Sequence, residues 1–300
     1  MASAFDLLIR GGQVADGSGG SVRTADVGVR GDLIVAIGDL AASEAATVID
    51  ATGMVVAPGF IDVHTHSDIT ILVDPNAESA IAQGVTTQVF PNCGMGLAPA
   101  IGEARRDVEE RTRPYGIDVT WKTVGEYYDR VQAAHPAINV VPMVAQGTVR
   151  MAVMGYSKDS PSATQLDEMK AYVEEAMRSG ARGISSGLRY VPSGYADVEE
   201  LAEIASVVHE YGGLYATHMR SEGDNGEWLD AIDEALAVGR RSGVRVQISH
   251  LKALGSESWG RSAEVMAHIA AAAEKDGVDV AGDQYPYLAT SSTLFVLFPQ

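Results

Sequence analysis

The stretch Gly59-Phe60-Ile61-Asp62-Val63-His64-Thr65-His66 places two histidines two residues apart at the end of an apolar segment. Successive side chains of a strand point to opposite faces, so residues i and i+2 share one face. His64 and His66 can therefore direct both imidazole rings at one point, as the binding of a divalent metal requires. The stretch predicts a strand that carries part of a metal site.

Two further histidines end similar apolar segments, Tyr215-Ala216-Thr217-His218 and Val246-Gln247-Ile248-Ser249-His250. Four of the seven histidines thus follow predicted strands. His209 and His268 instead fall in predicted helices and His135 precedes a proline, so these three are interpreted as bystanders. One histidine after a strand is most simply a packed or hydrogen-bonded residue, but a pair with two more at equivalent ends indicates a metal-dependent hydrolase on a barrel.

From Pro58 onward, segments with the pattern of strands alternate with segments of helical pattern. The predicted strands are 61–63, 85–90, 139–144, 183–186, 214–217, 244–249 and 278–282. One helix begins at the capping-box pair Ser162 and Gln165 and ends before Gly180. Its apolar residues recur near helical spacing at Leu166, Met169, Val173 and Met177, and those of a second helix, before Gly212-Gly213, are Leu201, Ile204 and Val208. This alternation predicts a parallel sheet and a (β/α)8 barrel of the TIM type, whose chemistry lies at the carboxyl ends of its strands.

The first 58 residues show short alternating strands separated by glycine and aspartate turns, predicted at 7–10, 25–30, 33–38, 47–50 and 54–57. We therefore predict a small β-sandwich domain over residues 1–58 and a hydrolase barrel over residues 59–300. Only seven barrel strands can be counted, and the last one is followed by an apolar segment at 294–299. The expectation is a chain truncated after the seventh strand, with long insertions or an incomplete barrel as alternatives.

The composition narrows the possible partners. The chain has 22 Lys and Arg against 40 Asp and Glu, a net charge of −18, which argues against nucleic acid or an anionic membrane as a partner. A single cysteine allows no intrachain disulfide. The start lacks the pattern of a signal peptide, and no apolar run approaches the roughly 20 residues of a membrane-spanning helix. A cytoplasmic location is expected.

That cysteine, Cys93, lies in Phe90-Pro91-Asn92-Cys93-Gly94, directly after the second predicted barrel strand. A lone cysteine in such a chain is often a small buried side chain. Its place at the same edge as the histidines makes a zinc thiolate equally plausible, because zinc accepts sulfur and nitrogen ligands together. The residues alone leave both interpretations open.

The sequence resembles the amidohydrolase superfamily, and within it the D-aminoacylase (N-acyl-D-amino-acid deacylase) group. The matching segments occur in the expected order across most of the chain. They are residues 58–66, Gln83-Gly84-Val85-Thr86-Thr87, Asn92-Cys93-Gly94, residues 183–190, residues 217–222, Ser249-His250-Leu251-Lys252 and Asp283-Gln284-Tyr285-Pro286-Tyr287. The first segment alone indicates the superfamily, whereas the cysteine and serine-glycine segments are typical of the group.

The resemblance implies a tight zinc site formed by Cys93, His218 and His250, and a second, weaker metal position lined by His64 and His66. It also implies a general acid/base aspartate on the eighth strand, for which these residues offer no candidate; Asp283 ends the seventh strand and is not assigned this role. The fourth strand lacks the lysine with which many cyclic-amide hydrolases of the superfamily bridge two metals. Its absence argues against a hydantoinase or dihydroorotase, and Cys93 is an alternative source of a bridging anion.

The substrate contacts follow from the resemblance and from position. Lys252, Tyr190, Tyr285 and Tyr287 are predicted to hold the substrate, with Lys252 on its carboxylate; the alternative for Lys252 is a solvated lysine at the rim. Arg220 and Glu222 are expected to pair with each other in support of the site, or to meet substrate. Arg189 and Arg220 would favour acidic side chains of the substrate unless they are held in ion pairs.

The hypothesis from sequence is a zinc-dependent hydrolase that cleaves the amide of N-acyl-D-amino acids to a carboxylate and a free D-amino acid. The partner would be this small molecule, with no nucleic acid and no membrane. The alternatives are a cyclic-amide hydrolase on the same scaffold and a non-catalytic protein of the amidohydrolase fold. A polypeptide ending at Gln300 would be inactive on this hypothesis, since the shuttle aspartate would be missing.

Overall fold

The computed structural model describes residues 4–224 and 226–292. The apolar segment 294–299 lies outside the described residues. The chain divides into two compact units, Met1–Phe60 and Ile61–Gln300. The sequence-based boundary after residue 58 falls close to this division, and the domain identities given to the two parts stay predictions.

The first unit is built on one five-stranded sheet. Its central strand pairs with one antiparallel and two parallel neighbours, in the order β3-β2-β1-β4 with β5 also paired to β1. The strands are β1 (Phe5–Val14), β2 (Arg23–Arg30), β3 (Leu33–Gly38), β4 (Ala45–Asp50) and β5 (Val55–Val56). All described strands of this unit belong to that sheet, so the second layer of a sandwich stays a prediction.

The first strand is longer than its sequence pattern predicts. The pattern ends it at Arg10, before Gly11-Gly12, but β1 continues to Val14. Its register against β2 shifts between Ile9 and Gly12, and Gly11 has φ +69°. The two glycines therefore form a bulge inside one strand, because glycine reaches positive φ without a steric penalty.

The second unit alternates strands with helices and forms two sheets. Strands β9 to β13 form a parallel sheet in the order β13-β12-β11-β10-β9, and the other sheet has the order β6-β7-β8. The strands are β6 (Phe60–Asp62), β7 (Val85–Phe90), β8 (Asn139–Pro142), β9 (Val144–Ala145), β10 (Gly183–Gly187), β11 (Leu214–His218), β12 (Arg245–Ile248) and β13 (Val280–Gly282). The predicted α/β class with parallel strands is confirmed; the segment predicted as one strand at 139–144 is split into β8 and β9.

The helices connect these strands. They are α1 (Thr70–Val73), α2 (Glu78–Ile81), α3 (Gly102–Thr112), α4 (Val124–Gln132), α5 (Gln146–Met154), α6 (Ala163–Arg178), α7 (Val198–Glu210), α8 (Trp228–Ser242) and α9 (Ser262–Asp276). Short 3-10 helices occur at Arg113–Tyr115, Ser193–Tyr195 and Ser256–Ser258. Within residues 4–224 and 226–292, no helix combines the length and apolarity needed to cross a membrane.

The two helices predicted in most detail are confirmed. Helix α6 begins with a capping box between Ser162 and Gln165, and Gly180 follows its end with φ +108°. The predicted apolar stripes of α6 and α7 face the core, because Met169, Val173 and Met177 of α6 and Leu201, Ile204 and Val208 of α7 are buried. Helices α5 and α7 contact β10, all of whose residues are buried, as is usual for a parallel strand with both faces covered.

The topology brings the predicted site residues to one edge. Strands β9 to β13 run parallel, so their carboxyl ends lie at the same edge of the sheet. His218 ends β11, and His250 and Asp283 closely follow β12 and β13. The contacts of their side chains define a candidate metal centre.

Candidate metal centre

Two groups of metal-binding side chains share one histidine. The first contains His64, Cys93 and His250, and the second contains His218, Glu222 and His250. In the first group, the Cys93 Sγ atom lies 3.4 Å from His64 Nε2 and 3.6 Å from His250 Nε2. In the second, the rings of His218 and His250 meet edge to face with centroids 4.5 Å apart. Four of the five predicted ligands therefore fall in these two groups, but Cys93 and His218 belong to different groups that share His250.

His66, the fifth predicted ligand, belongs to neither group of the described residues. Its ring lies beside that of His64, with centroids 5.6 Å apart, but its side chain is exposed to solvent. The spacing of the two histidines therefore brings their rings together, as the strand pattern predicts. His64 contacts Cys93, whereas His66 lies outside both groups of the described residues.

The position of Cys93 is fixed by the close approach of two backbone segments. Cys93 follows β7 and has φ +55°, a left-handed conformation that is rare for a residue with a side chain. Gly187, the last residue of β10, lies against it so closely that an added Cβ would be 2.0 Å from the Cys93 carbonyl oxygen. The Gly187 N–H group donates to Ser193 Oγ at 3.0 Å, which anchors this segment in turn. Only glycine at position 187 allows this approach.

His250 is held by the end of the neighbouring strand. Its backbone has φ +37°, and its N–H group donates to Asp283 Oδ1 at 2.7 Å. Asp283 Oδ2 accepts from Gln247 Nε2 at 2.8 Å, and Asp283 Oδ1 lies 3.4 Å from His64 Nδ1. Burial opposes the charge of Asp283, but the nearby His64 ring and the hydrogen bonds from Gln247 and His250 lower its pKa. Asp283 is thus an ionised support that joins two of the histidine positions.

His218 offers buried nitrogen atoms without partners. Neither Nδ1 nor Nε2 has a hydrogen-bond partner among residues 4–224 and 226–292. Glu222 Oε2 lies 3.9 Å from Nε2, which is close enough for an electrostatic attraction but too long for a hydrogen bond. Burial lowers the pKa of His218 to about 3, so the ring is neutral and its Nε2 or Nδ1 lone pair is available. A buried ring left unpaired in this way is suited to a metal.

The electrostatics also favour a cation. Burial raises the pKa of the Cys93 thiol to about 12, and the negative charges of Glu222 and Asp283 act in the same direction. Burial opposes the charge of Glu222 as well, but the contact with His250 and the Lys252 ammonium lower its pKa to about 2. Two carboxylates beside a buried thiol form an environment in which a divalent cation would compensate the charge and deprotonate the thiol.

The donor atoms fit a zinc ion. Zinc binds sulfur and imidazole nitrogen at about 2.0–2.3 Å, which separates two tetrahedral ligands by roughly 3.3–3.8 Å. Both distances from Cys93 Sγ, 3.4 Å to His64 Nε2 and 3.6 Å to His250 Nε2, fall in that range. Together with the unpartnered nitrogens of His218, this geometry shows that the residues present suit the metal.

The predicted substrate contacts surround these groups. The Lys252 ammonium lies 3.2 Å from His250 Nδ1 and forms an ion pair with Glu222. The Tyr190 ring packs edge to face on His218, with centroids 4.9 Å apart. Tyr285 lies under the Lys252 ammonium, 5.4 Å from ring centroid to Nζ, and its hydroxyl is buried without a partner among the described residues. Tyr287 is 72% exposed, and its ring centroid lies 6.2 Å from that of Tyr285.

The expected pairing of Arg220 with Glu222 is wrong. Arg220 instead makes an ion pair with Glu234 at 2.9 Å and donates to the carbonyl oxygens of Gly194 and Ala196. Glu222 is turned to the other side, towards His250 and Lys252. Both arginines considered for acidic substrates are held in ion pairs, since Arg189 donates to the two carboxylate oxygens of Asp224 at 2.7 Å.

Sequence reasoning named Glu222 and Asp283 but did not predict the contacts that they make in the site. Glu222 Oε1 lies 2.9 Å from His250 Nδ1, and Asp283 supports both His64 and His250. The sequence carried a signal for each of them. Glu222 follows His218 by four residues, and Asp283 follows the seventh strand at the same edge as the histidines.

Comparison with known proteins agrees with this geometry. The profile of the amidohydrolase family matches residues 47–297. The chain is 42% identical over 290 residues to the D-aminoacylase of Alcaligenes xylosoxydans xylosoxydans, an alignment that covers 97% of this chain and 59% of that protein. It is 41% identical over 294 residues to the N-acyl-D-glutamate deacylase of the same organism, covering 98% and 59%. The chain thus spans about 59% of the length of these relatives.

A solved structure shows the same arrangement of the chain. It is the N-acyl-D-glutamate deacylase of Bordetella bronchiseptica, solved with zinc and a phosphonate inhibitor that mimics the tetrahedral intermediate of its reaction. The TM-score is 0.86 at 38% identity, and the match covers 94% of this chain and 59% of that protein. The resemblance to the D-aminoacylase group is confirmed by these matches. The chain belongs to the amidohydrolase family.

Proposed function

We propose that this chain is part of a zinc-dependent deacylase that cleaves the amide of N-acyl-D-amino acids to a carboxylate and a free D-amino acid. The observation that carries the proposal is the convergence of Cys93, His64, His218 and His250 at the strand ends, with the ring nitrogens of His218 buried and unpartnered among the described residues. Support also comes from the relatives, which are a D-aminoacylase and an N-acyl-D-glutamate deacylase. The partner is a small molecule.

Zinc is proposed to be held by Cys93, His218 and His250, with His64 and His66 at a second, weaker position. When bound, zinc would lower the pKa of a water molecule to about 7 and polarise the carbonyl of the scissile amide. The chain's own residues orient the site: Asp283 fixes the backbone of His250 and lies beside His64 Nδ1. Because the Asp283 carboxylate already accepts these hydrogen bonds, it is proposed as a support and not as the proton shuttle.

The amino-acid end of the substrate is proposed to lie between Lys252 and the tyrosines at 190, 285 and 287. A free α-carboxylate needs cationic or hydroxyl donors. Lys252 has three donor hydrogens, so it can bind a carboxylate while it keeps its ion pair with Glu222. The unpartnered Tyr285 hydroxyl is a second donor beside it.

The finer fold assignments belong to the same proposal. Residues 59–300 are proposed as the barrel of the hydrolase and residues 1–58 as part of a small β-sandwich, with a cytoplasmic location. The alternation of strands and helices from β6 to β13, interrupted between β8 and β9, supports the barrel. A cyclic-amide hydrolase is disfavoured because β10, which is the fourth barrel strand when β8 and β9 are counted as one, contains no lysine to bridge two metals.

The direct test is hydrolysis of N-acetyl-D-amino acids and N-acetyl-L-amino acids by the purified protein. We expect amide cleavage in the D series, loss of activity after treatment with a chelator, and recovery when zinc is added. Failure to cleave either series with zinc present would contradict the proposal. Ring opening of a hydantoin or of dihydroorotate instead would identify a cyclic-amide hydrolase.

The role of Lys252 gives a second test. Lys252→Met should lower kcat/KM for N-acyl amino acids, because an unmatched buried polar group costs about 1–3 kcal/mol, or roughly 5- to 150-fold. The loss should shrink for the corresponding N-acyl amino amides, which carry no carboxylate. Zinc content, measured by metal analysis, should be largely preserved. An equal loss on acids and amides would place Lys252 in the metal centre or the fold instead.

A further inference from the structure

The Glu222 carboxylate lies at the junction of the two metal-binding groups. Its Oε1 atom lies 2.9 Å from His250 Nδ1 and forms an ion pair with the Lys252 ammonium. Its other oxygen lies 3.9 Å from His218 Nε2. The residue is 4% exposed, so these contacts are made away from bulk water. No other described carboxylate contacts both His250 Nδ1 and Lys252.

The two neighbours of His250 Nδ1 have opposite effects on its ring. An ionised carboxylate only accepts hydrogen bonds, so contact with Glu222 places the ring proton on Nδ1. An ammonium only donates, so a hydrogen bond from Lys252, whose Nζ lies 3.2 Å from Nδ1, would move that proton to Nε2. Nε2 is the atom that faces Cys93 Sγ at 3.6 Å. A proton there would block the lone pair that a metal needs.

We propose that Glu222 is a positioning residue that keeps the ring proton of His250 on Nδ1, so that the Nε2 lone pair is directed at the metal. A carboxylate that accepts from the far nitrogen of a ligating histidine fixes the tautomer and the orientation of the ring. Glu222 does so here and also neutralises the cation that would reverse the tautomer. The inference rests on the proposed zinc site and deepens it.

The test compares zinc affinity, measured by competition with a chromophoric chelator, in Lys252→Met and in the double variant Glu222→Gln with Lys252→Met. The double variant is preferred to Glu222→Gln alone, because it leaves no buried ammonium without its carboxylate. Lys252→Met should bind zinc as the unaltered protein does. The double variant should bind it about 10- to 100-fold more weakly, the usual cost of removing such a partner of a metal ligand.

Glu234→Gln is the matched control, since Glu234 is also a partly buried carboxylate in an ion pair, with Arg220, but outside both metal-binding groups. Its zinc affinity should not change. A cobalt-loaded double variant should still show the thiolate-to-cobalt absorption band at saturating metal, because Cys93 is retained; loss of the band would mean that the site has collapsed and would overturn a purely positioning role.

Two failures can be told apart. If the unaltered protein binds zinc tightly and the double variant binds it equally well, Glu222 does not position His250 and only this inference falls. If the unaltered protein does not bind zinc, the proposed metal centre itself is wrong.

Discussion

Replacing Cys93 with alanine is expected to remove the tightly bound zinc. The Sγ atom is the only sulfur donor of the described metal-binding groups. Its distances from His64 Nε2 and His250 Nε2 are those expected between two ligand atoms of one zinc ion. Its loss should weaken zinc binding by more than the about 10- to 100-fold that loss of a ligand's partner costs. His218→Ala and His250→Ala should have similar effects. Metal analysis after dialysis is the measurement.

His66→Ala is the matched control for this series. His66 is a histidine of the same predicted strand end, but its side chain is exposed and it belongs to neither described metal-binding group. The His66→Ala variant should retain more zinc than Cys93→Ala but should turn over substrate more slowly than the unaltered protein. The same is expected of His64→Ala, because His64 and His66 are proposed to line the second, weaker metal position. Full zinc retention in Cys93→Ala would exclude the cysteine as an essential ligand.

Replacing Gly187 with alanine should disturb the same centre through the backbone. The new Cβ would lie 2.0 Å from the Cys93 carbonyl oxygen, 2.7 Å from its carbonyl carbon and 2.8 Å from the Tyr190 ring, so Cys93 must move. Overpacking of this kind lowers the free energy of unfolding by about 1–3 kcal/mol. Zinc affinity should fall at least about 10-fold, because the Sγ atom moves with its backbone. Chemical denaturation and chelator competition measure the two effects.

Gly38→Ala is a suitable control, since nothing lies within 4 Å of the Cβ position at Gly38. This variant should change neither zinc affinity nor, beyond about 1 kcal/mol, stability. Full zinc affinity in Gly187→Ala would mean that the Cys93 backbone can shift without moving the Sγ atom. The close approach of Gly187 to Cys93 would then contribute to packing but not to metal binding.

The convergence of the main site residues was predictable from sequence. Each of Cys93, His218 and His250 ends or closely follows a strand, and parallel strands bring their carboxyl ends to one edge. The capping box at Ser162 and the apolar stripes of the neighbouring helices were equally local signals, each contained within a few turns of chain. The pattern of residues was therefore enough to predict the ligands that are placed by the ends of strands.

The partners of Glu222 could not be predicted in the same way. Local sequence offers Arg220 as the nearest opposite charge, but the chain turns after β11 so that Arg220 reaches Glu234 and Glu222 reaches Lys252. The Gly187 approach to Cys93 likewise depends on how two strand ends pack, since these residues are far apart in sequence. Such contacts are set by the path of the loops in space, which a single sequence does not encode in any local pattern.

The spread of the site along the chain has a consequence for folding. The side chains that meet around His250 include His64 near the first strand of the second unit and Asp283 after its last described strand. Metal binding therefore requires that Cys93 and His250, which are 157 residues apart in the chain, be in place at the same time. An ion bound there would hold the segment at His64 in contact with the segment at His250. At a free concentration 100 times its Kd, the ion would add about 2.7 kcal/mol to the free energy of unfolding. The ion would be released whenever these two segments separate.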